Sequence, residues 1–320
     1  MSVKVLVIDP IHEDGIKILR KRKDISLVYL RDPTDDEISH HMINTEILLL
    51  RGRKLSLEQW KLAKRLKLIS RHGVGCDNVD FDLMQHLGIT VAVTADANYV
   101  SVAEHAVMLM LAASRNVIAA DRAARNDAWE TRERISSIEV FGAKVLIVGY
   151  GRIGRAFSER VAAFGARLSI YDPYLPPDYA MPNGLRRVHN LEASVTEADI
   201  ISLHLPRNNK TIGLFDADLL SKCKPSGILV NTGRGGIVDE DALVDALKLG
   251  RPCRYATDVL EQEPPDKENL LLLRDDVILT PHSAAMTAEG VMKMATSSAQ
   301  NIVDFLEGKL RSRMIAFKPV

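Results

Sequence analysis

The sequence predicts an α/β protein of two doubly wound parallel sheets, and three observations carry that prediction. Short apolar runs alternate with amphipathic stretches along nearly the whole chain, as strands do when crossover helices separate them. One run, residues 145–148, leads straight into Gly149-Tyr-Gly151-Arg-Ile-Gly154, three glycines in G-x-G-x-x-G register. A last amphipathic stretch, residues 287–307, follows the final strand of the glycine-bearing half and suits packing back on the first half.

Taken in order, residues 3–8 read as a strand, and Asp14 is placed to cap a helix running to about Lys21. Strands follow at 26–30, 47–50, 68–70 and 90–93, with helices at 34–42, 56–66 and after Asp80. This is a complete small α/β unit with no glycine fingerprint of its own, its sheet covered on both faces. Residues 102 to about 116 form a long apolar helix that bridges into the second half, with Met108 and Met110 read as core. After the glycines, Ile153, Phe157, Val161 and Phe164 recur at helical spacing, and Gly165 is the natural stop. A strand at 168–171 ends in Asp172, and the stretch 173–182, with four prolines, is a loop. Further strands are expected at 200–205, 227–231, 254–258 and 277–280, and the helix after Thr287 should end near Gly308. No internal repeat or low-complexity stretch interrupts the pattern.

Composition narrows the function classes. The 320 residues carry 42 Lys plus Arg against 42 Asp plus Glu, so nothing points to nucleic acid or an anionic membrane surface. No apolar run approaches the length of a membrane-crossing helix. The N-terminus enters a strand directly, which leaves no room for a signal peptide. Three dispersed cysteines, Cys76, Cys223 and Cys253, suit a reducing compartment and argue against structural zinc; no metal is expected, and the cytoplasm is the expected location.

The glycine motif has a chemical meaning. Gly149 makes a tight turn, Gly151 lets backbone approach a pyrophosphate, and Gly154 lets the following helix pack against the sheet. The helix N-terminus offers unpaired N–H groups to phosphate oxygens. Asp172, eighteen residues past the last glycine, can accept from the adenosine ribose hydroxyls. Its carboxylate would repel a 2′-phosphate, which favours NAD over NADP. Three later strands then end in Arg234, Glu263 and His282, at the sheet edge where open parallel sheets bind ligands. An arginine fork holds a carboxylate, a histidine exchanges a hydroxyl proton, and a glutamate against that imidazole favours its charged form. Those residue types make a hydride-transfer site.

The chain resembles the D-isomer-specific 2-hydroxyacid dehydrogenase family over nearly all its length. The resemblance is carried by Arg71-His-Gly-Val-Gly-Cys-Asp-Asn-Val-Asp80, Ser101-Val-Ala-Glu-His105, the glycine motif, Leu203-His-Leu-Pro206, Asn231-Thr-Gly-Arg-Gly-Gly-Ile-Val-Asp239, Asp258-Val-Leu-Glu-Gln-Glu-Pro264 and Thr280-Pro-His282. It implies a Rossmann NAD-binding domain (99–286) inserted into a flavodoxin-like substrate domain (1–98 plus 287–320), with a cleft between them. It also implies a homodimer joined through the NAD-binding domains. By the same resemblance Arg234 binds substrate, His282 is the acid–base group and Glu263 its partner. The family's formate dehydrogenases carry glutamine at the glutamate position, so Glu263 argues against that branch. Backbone N–H groups around Val74 and Gly75 would hold the substrate carboxylate, and Asn98 would touch substrate. Val102, His204, Pro206, Thr211, Thr232, Asp258 and Ser283 would line the cofactor, with Arg152 and Ile153 opening the helix at its phosphates.

The wording Tyr171-Asp-Pro and Gly233-Arg-Gly-Gly-Ile-Val-Asp-Glu240 resembles the D-3-phosphoglycerate dehydrogenase branch, which implies 3-phosphoglycerate and phosphohydroxypyruvate as substrates. Arg51, Arg71 and either Arg132 or Arg134 stand where that branch places basic residues near the substrate phosphate. The stretch 129–141 departs from its pattern, and the regulatory domain of the longer phosphoglycerate enzymes is not expected in a chain of 320 residues. The rivals are a hydroxypyruvate or glyoxylate reductase, a broad D-2-hydroxyacid dehydrogenase and, from another class, a dinucleotide-sensing protein like the C-terminal binding protein corepressors. Of the other histidines, His40 and His41 read as solvated, and His105 reads as a satisfied core residue. His72, just before the carboxylate loop, stays open.

Overall fold

Local sequence chemistry sets the element boundaries in this computed structural model, which describes residues 2–319. The chain divides into two compact units, one of the residues up to Asn98 with those from Met286 on, the other Tyr99–Ala285. The first begins β1 (Val3–Ile8), α1 (Glu13–Arg20), β2 (Ile25–Leu30), α2 (Asp35–Met42), β3 (Ile47–Leu50), α3 (Leu57–Leu62), β4 (Leu68–Arg71), α4 (Phe81–Leu87) and β5 (Thr90–Ala92). The second runs α5 (Tyr99–Arg115), α6 (Val117–Arg125), β6 (Lys144–Val148), α7 (Arg152–Ala162), β7 (Arg167–Tyr171), β8 (Leu185–Val188), α8 (Leu191–Glu197) and β9 (Ile200–Leu203). It continues through α9 (Ala217–Ser221), β10 (Ile228–Asn231), α10 (Glu240–Lys248), β11 (Arg254–Thr257) and β12 (Val277–Leu279). The chain then returns to the first unit as α11 (Ala288–Leu306) and β13 (Ile315–Phe317).

The first sheet has the order β2-β1-β3-β4-β5-β13, parallel throughout except for the antiparallel edge strand β13. Its five parallel strands follow the flavodoxin order, with the topological switch between β1 and β3. Both chain ends build this unit. Gly15 of α1 sits so close to α11 that a Cβ there would stand 2.6 Å from the Ala295 carbonyl oxygen. Ser70 Oγ donates to the Ser298 carbonyl at 2.8 Å, and Asn301 Nδ2 to the Val93 carbonyl at 3.0 Å. Capping boxes start α2 (Thr34 with Glu37) and α3 (Ser56 with Gln59).

The second sheet is wholly parallel, in the order β8-β7-β6-β9-β10-β11-β12. That is the Rossmann order, with its switch between β6 and β9. β9, β10 and β11 are buried along their whole length because helices cover both faces; β9 and β10 are mostly apolar, while β11 buries Arg254 and Thr257 as well. The fold class is the one the sequence predicts.

Local expectations fail in several places, each for a physical reason. His12 rather than Asp14 caps α1, its Nδ1 accepting from the Asp14 N–H at 3.3 Å, while the Asp14 carboxylate takes Lys17. α3 stops at Leu62, where the chain turns to bury Ala63 and Leu66. Phe164 lies beyond the end of α7 and is 39% exposed; the apolar period runs past the end of the helix at Ala162 before Gly165 reverses the chain at φ 75°. Met110 is core, but Met108 projects outward and is 46% exposed. His40 is exposed as read, but His41 is half-buried and its Nδ1 has no partner among the described residues. The short strands β8 and β13, and helices α6 and α8–α10, had no distinct reading in the sequence. Among the described residues no single helix is long and apolar enough to cross a membrane; α5 and α6 pass that test of length and composition only as a pair bent by 60°, and α5 gives its apolar face to the core.

Candidate active site

Three consecutive strand ends of the second unit carry the three residues that the sequence singles out. β10 runs into the turn of Arg234, β11 into the loop of Glu263, and β12 into the turn of His282. Their loops meet because Gly235 has no side chain: a Cβ there would collide with the Leu260 carbonyl. Asn231 shapes the first turn, its amide donating to the Arg234 carbonyl at 2.9 Å and its oxygen accepting from the Gly233 N–H at 3.0 Å.

His282 Nδ1 lies 2.6 Å from Glu263 Oε2, and Glu263 Oε1 accepts from the Leu260 N–H at 3.0 Å. The carboxylate therefore holds one face of the imidazole and leaves Nε2 for chemistry. The bond to Glu263 raises the His282 pKa above its ordinary value against the opposing effects of burial and the Arg234 charge. Burial pushes Glu263 up, yet the His282 bond, the Leu260 N–H and the Arg234 charge outweigh it and hold the carboxyl below the usual range. The arginine is thus electrostatically coupled to both partners.

Asp258, expected along the cofactor, does its visible work inward. It is 1% exposed, and its carboxylate accepts from the Thr280 hydroxyl at 2.6 Å and from the N–H groups of Ser283 and Ala284 at 2.8 Å. The turn it braces holds His282 at φ 51°, a left-handed value uncommon for a residue with a Cβ. That role was not legible in the sequence, where the residue is simply the last position of a strand.

The glycine turn fits a dinucleotide. A Cβ at Gly149 would stand 2.6 Å from the His204 carbonyl oxygen, and one at Gly154 would collide with the Gly149 carbonyl, so the turn packs tightly on itself and on β9. At Gly151 a Cβ would meet nothing within 4 Å, which leaves open room at the start of α7. No side chain among the described residues caps α7; exposed Arg152 and half-buried Ile153 open the helix, whose first N–H groups lack intrahelical partners. The buried hydroxyl of Thr232 and Nδ1 of His204 have no partner among the described residues. Burial pushes the His204 pKa down to about 3, so the ring is neutral, with Nε2 3.0 Å from Ser202 Oγ. Together these suit an anionic, hydrogen-bonding ligand. Thr211 instead spends its hydroxyl on the Pro206 carbonyl at 2.6 Å and so shapes the 206–211 loop, and Val102 is buried on α5. The Asp172 carboxylate accepts from the N–H groups of Tyr150 at 2.8 Å and Tyr174 at 2.9 Å, and so fixes the turn after β7.

In the first unit, Val74 and Gly75 have N–H groups that no protein group accepts from, among the described residues, in a loop that follows β4. Two adjacent bare N–H groups of this kind suit an anion. Arg71 does not offer its guanidinium outward as expected. It is 7% exposed and donates to the carbonyls of Leu50 at 2.8 Å, Gly75 at 3.1 Å and Arg51, so it braces the loop from within. Arg51, half-buried at the end of β3, donates to the Pro10 carbonyl at 2.7 Å and borders an open groove of about 640 Å³ with Arg31, Arg53, Asp9 and Asp32. Arg53, which sequence reasoning passed over in Arg51-Gly-Arg53, is paired with Asp9 at 3.1 Å. Asn98 makes only a 3.7 Å contact to Met294 Sδ. Burial, aided by the Arg51 charge, lowers the His72 pKa to about 4, so that ring is a neutral core residue. Arg132 and Arg134 are exposed on the second unit. Among the described residues, no group of three or more His, Cys, Asp or Glu could hold a metal ion.

A sequence profile of the D-isomer specific 2-hydroxyacid dehydrogenase, NAD binding domain, matches residues 107–284. Among curated proteins, the chain is 38% identical over 314 residues to a D-3-phosphoglycerate dehydrogenase of Methanocaldococcus jannaschii, covering 98% of this chain and 59% of that protein. It is 36% identical over 307 residues to that of Archaeoglobus fulgidus, covering 96% and 58%. The chain thus spans under two thirds of the length of these relatives. Among solved structures, an NAD-dependent formate dehydrogenase from Staphylococcus aureus in complex with NAD matches with TM-score 0.88 and 27% identity, covering 99% of this chain and all of that one. An NADPH-dependent glyoxylate/hydroxypyruvate reductase from Sinorhizobium meliloti matches with TM-score 0.85 and 26% identity, covering 99% of each.

Proposed function

This chain belongs to the D-isomer specific 2-hydroxyacid dehydrogenase family, and on that premise we propose that it interconverts a D-2-hydroxyacid and its 2-oxoacid, using NAD. The 2.6 Å bond between His282 and Glu263, with Arg234 coupled to both, is the observation that carries the reading. NAD, when bound, supplies or takes up the hydride at C2. His282 Nε2 gives its proton to the 2-oxo oxygen as that carbon is reduced, and Glu263 stabilises the imidazolium beforehand. Arg234 holds the substrate carboxylate and draws electron density from the neighbouring carbonyl. The bare N–H groups of Val74 and Gly75 suit a carboxylate as well. The glycine turn and α7 hold the pyrophosphate, and Asp172 takes the ribose hydroxyls, which disfavours a 2′-phosphate.

For substrate we favour 3-phosphoglycerate and phosphohydroxypyruvate. The curated relatives are named for that activity, and three arginines gather at the ends of β2 and β3, as a phosphate dianion requires. One observation favours a second reading, reduction of hydroxypyruvate or glyoxylate. Arg71 is turned inward and Arg53 is matched by Asp9, which leaves less positive charge for a phosphate. NADH oxidation with phosphohydroxypyruvate, hydroxypyruvate and glyoxylate separates the two. A kcat/KM preference for the phosphorylated acid supports the first, a preference for the small acids the second, and no turnover with any sinks both.

We also propose a homodimer through the NAD-binding unit. The outward side of α5 and α6 carries Met108, Val117 and Ile118, each 45–49% exposed, more apolar surface than a solvated helix pair needs. A monomeric mass by light scattering at micromolar concentration would remove this proposal.

A further inference from the structure

His105, on α5, takes no part in the chemistry above, yet it stands directly behind the turn that carries His282. Its Nε2 is 2.9 Å from Thr280 Oγ1 and 3.5 Å from Asp258 Oδ1. Thr280 has a single hydroxyl proton, and its nearest acceptor is the Asp258 carboxylate at 2.6 Å. With that proton committed, the threonine oxygen can only accept from the imidazole, so His105 carries its proton on Nε2. The chain of bonds then runs from α5 to Thr280, to the buried Asp258 carboxylate, and on to the N–H groups of Ser283 and Ala284. The Asp258 carbonyl completes it by accepting from the His282 N–H at 2.9 Å. A left-handed residue with a Cβ persists only where its surroundings over-determine it, and this network fixes the N–H groups of His282, Ser283 and Ala284.

We propose that His105 is a positioning residue for the reaction: its bond to Thr280 fixes the turn in the arrangement that keeps His282 against Glu263. The proposal rests on the reading of His282 as the acid–base group. A histidine that merely satisfied the core would influence folding stability and leave the His282–Glu263 pair untouched. A positioning histidine would alter that pair, because a looser turn lengthens the bond that raises the His282 pKa.

The test is to follow the His282 ring by NMR on histidine-labelled protein, without cofactor or substrate, alongside steady-state NADH oxidation. In His105→Ala, kcat should fall by about tenfold to a hundredfold with the NADH KM changed by less than about twofold, and the His282 titration should move towards an ordinary imidazole. His105→Gln, whose amide can donate to Thr280, should recover most of both. Should His105→Ala fail to fold, Thr280→Val removes the receiving hydroxyl and should give the same two effects. A lower Tm with an unmoved His282 titration would overturn the proposal. The titration needs no turnover, so full activity in His282→Ala would remove the acid–base assignment separately, whatever the titration shows.

Discussion

Glu263 Oε2 and His282 Nδ1 stand 2.6 Å apart, and each shifts the other's titration. Reduction needs the imidazolium, so kcat/KM for the oxoacid should decline as pH rises through a His282 pKa that lies above the ordinary imidazole value. Oxidation of the hydroxyacid should rise through that same value. Glu263→Gln removes the charge that favours the imidazolium and should move both limbs to lower pH, with turnover reduced about tenfold or more. Limbs that stay in place would mean that another group titrates.

The same pair has a defined effect on stability. The raised His282 pKa contributes in full below the unfolded value of 6.5 and is lost as pH climbs through the folded value. The lowered Glu263 pKa contributes above 4.5 and is lost as pH falls through its folded value. The side chains are 49% and 37% exposed, so solvent screening should keep the change in Tm small. A large loss of Tm in Glu263→Gln would show that the carboxylate bears on the fold as well as the chemistry.

Gly235 tests how the site is assembled. A methyl group there must displace the Leu260 carbonyl, which separates the Arg234 turn from the loop leading to Glu263. Gly235→Ala should cost on the order of 1–3 kcal/mol and most of the turnover. Denaturant unfolding and kcat on one preparation check both, and a variant matching the parent would show that the loops can part at no cost.

Asp172 holds the N–H groups of Tyr150 and Tyr174 as well as, by our reading, the ribose. Asp172→Ala should therefore weaken NAD about tenfold to a hundredfold, and NADP less, because the repulsion of a 2′-phosphate goes with the carboxylate. Calorimetric titration of both nucleotides decides it; equal weakening would leave Asp172 only the turn.

Arg51 tests the phosphate reading. Arg51→Ala should raise KM for phosphohydroxypyruvate by about tenfold or more and leave hydroxypyruvate within about twofold. An equal change for both acids would place Arg51 outside phosphate recognition.

What the sequence made legible follows from short-range physics. The strand before Gly149, the amphipathic run after Gly154 and the acid at 172 form one local unit, so their meaning could be read from spacing alone. Arg234, Glu263 and His282 could be singled out because each follows a predicted strand, and parallel strands deliver such residues to one edge. The brace formed by Asp258, Thr280 and His105 was not legible, since its partners are as much as 175 residues apart and no spacing records a long-range bond. Arg71 misled for the opposite reason. Its position beside the loop was clear, but whether its guanidinium faced out or turned to the carbonyls of Leu50 and Gly75 depended on packing. Met108 and Phe164 erred because helical period marks a face without telling where that face ends.

The most direct measurement is turnover of His282→Ala, with NADH binding measured on the same protein. The account predicts a fall in kcat of about two to four orders of magnitude for whichever oxoacid the parent reduces best, with NADH affinity largely kept. Unchanged turnover would contradict it and move the proton transfer to another group.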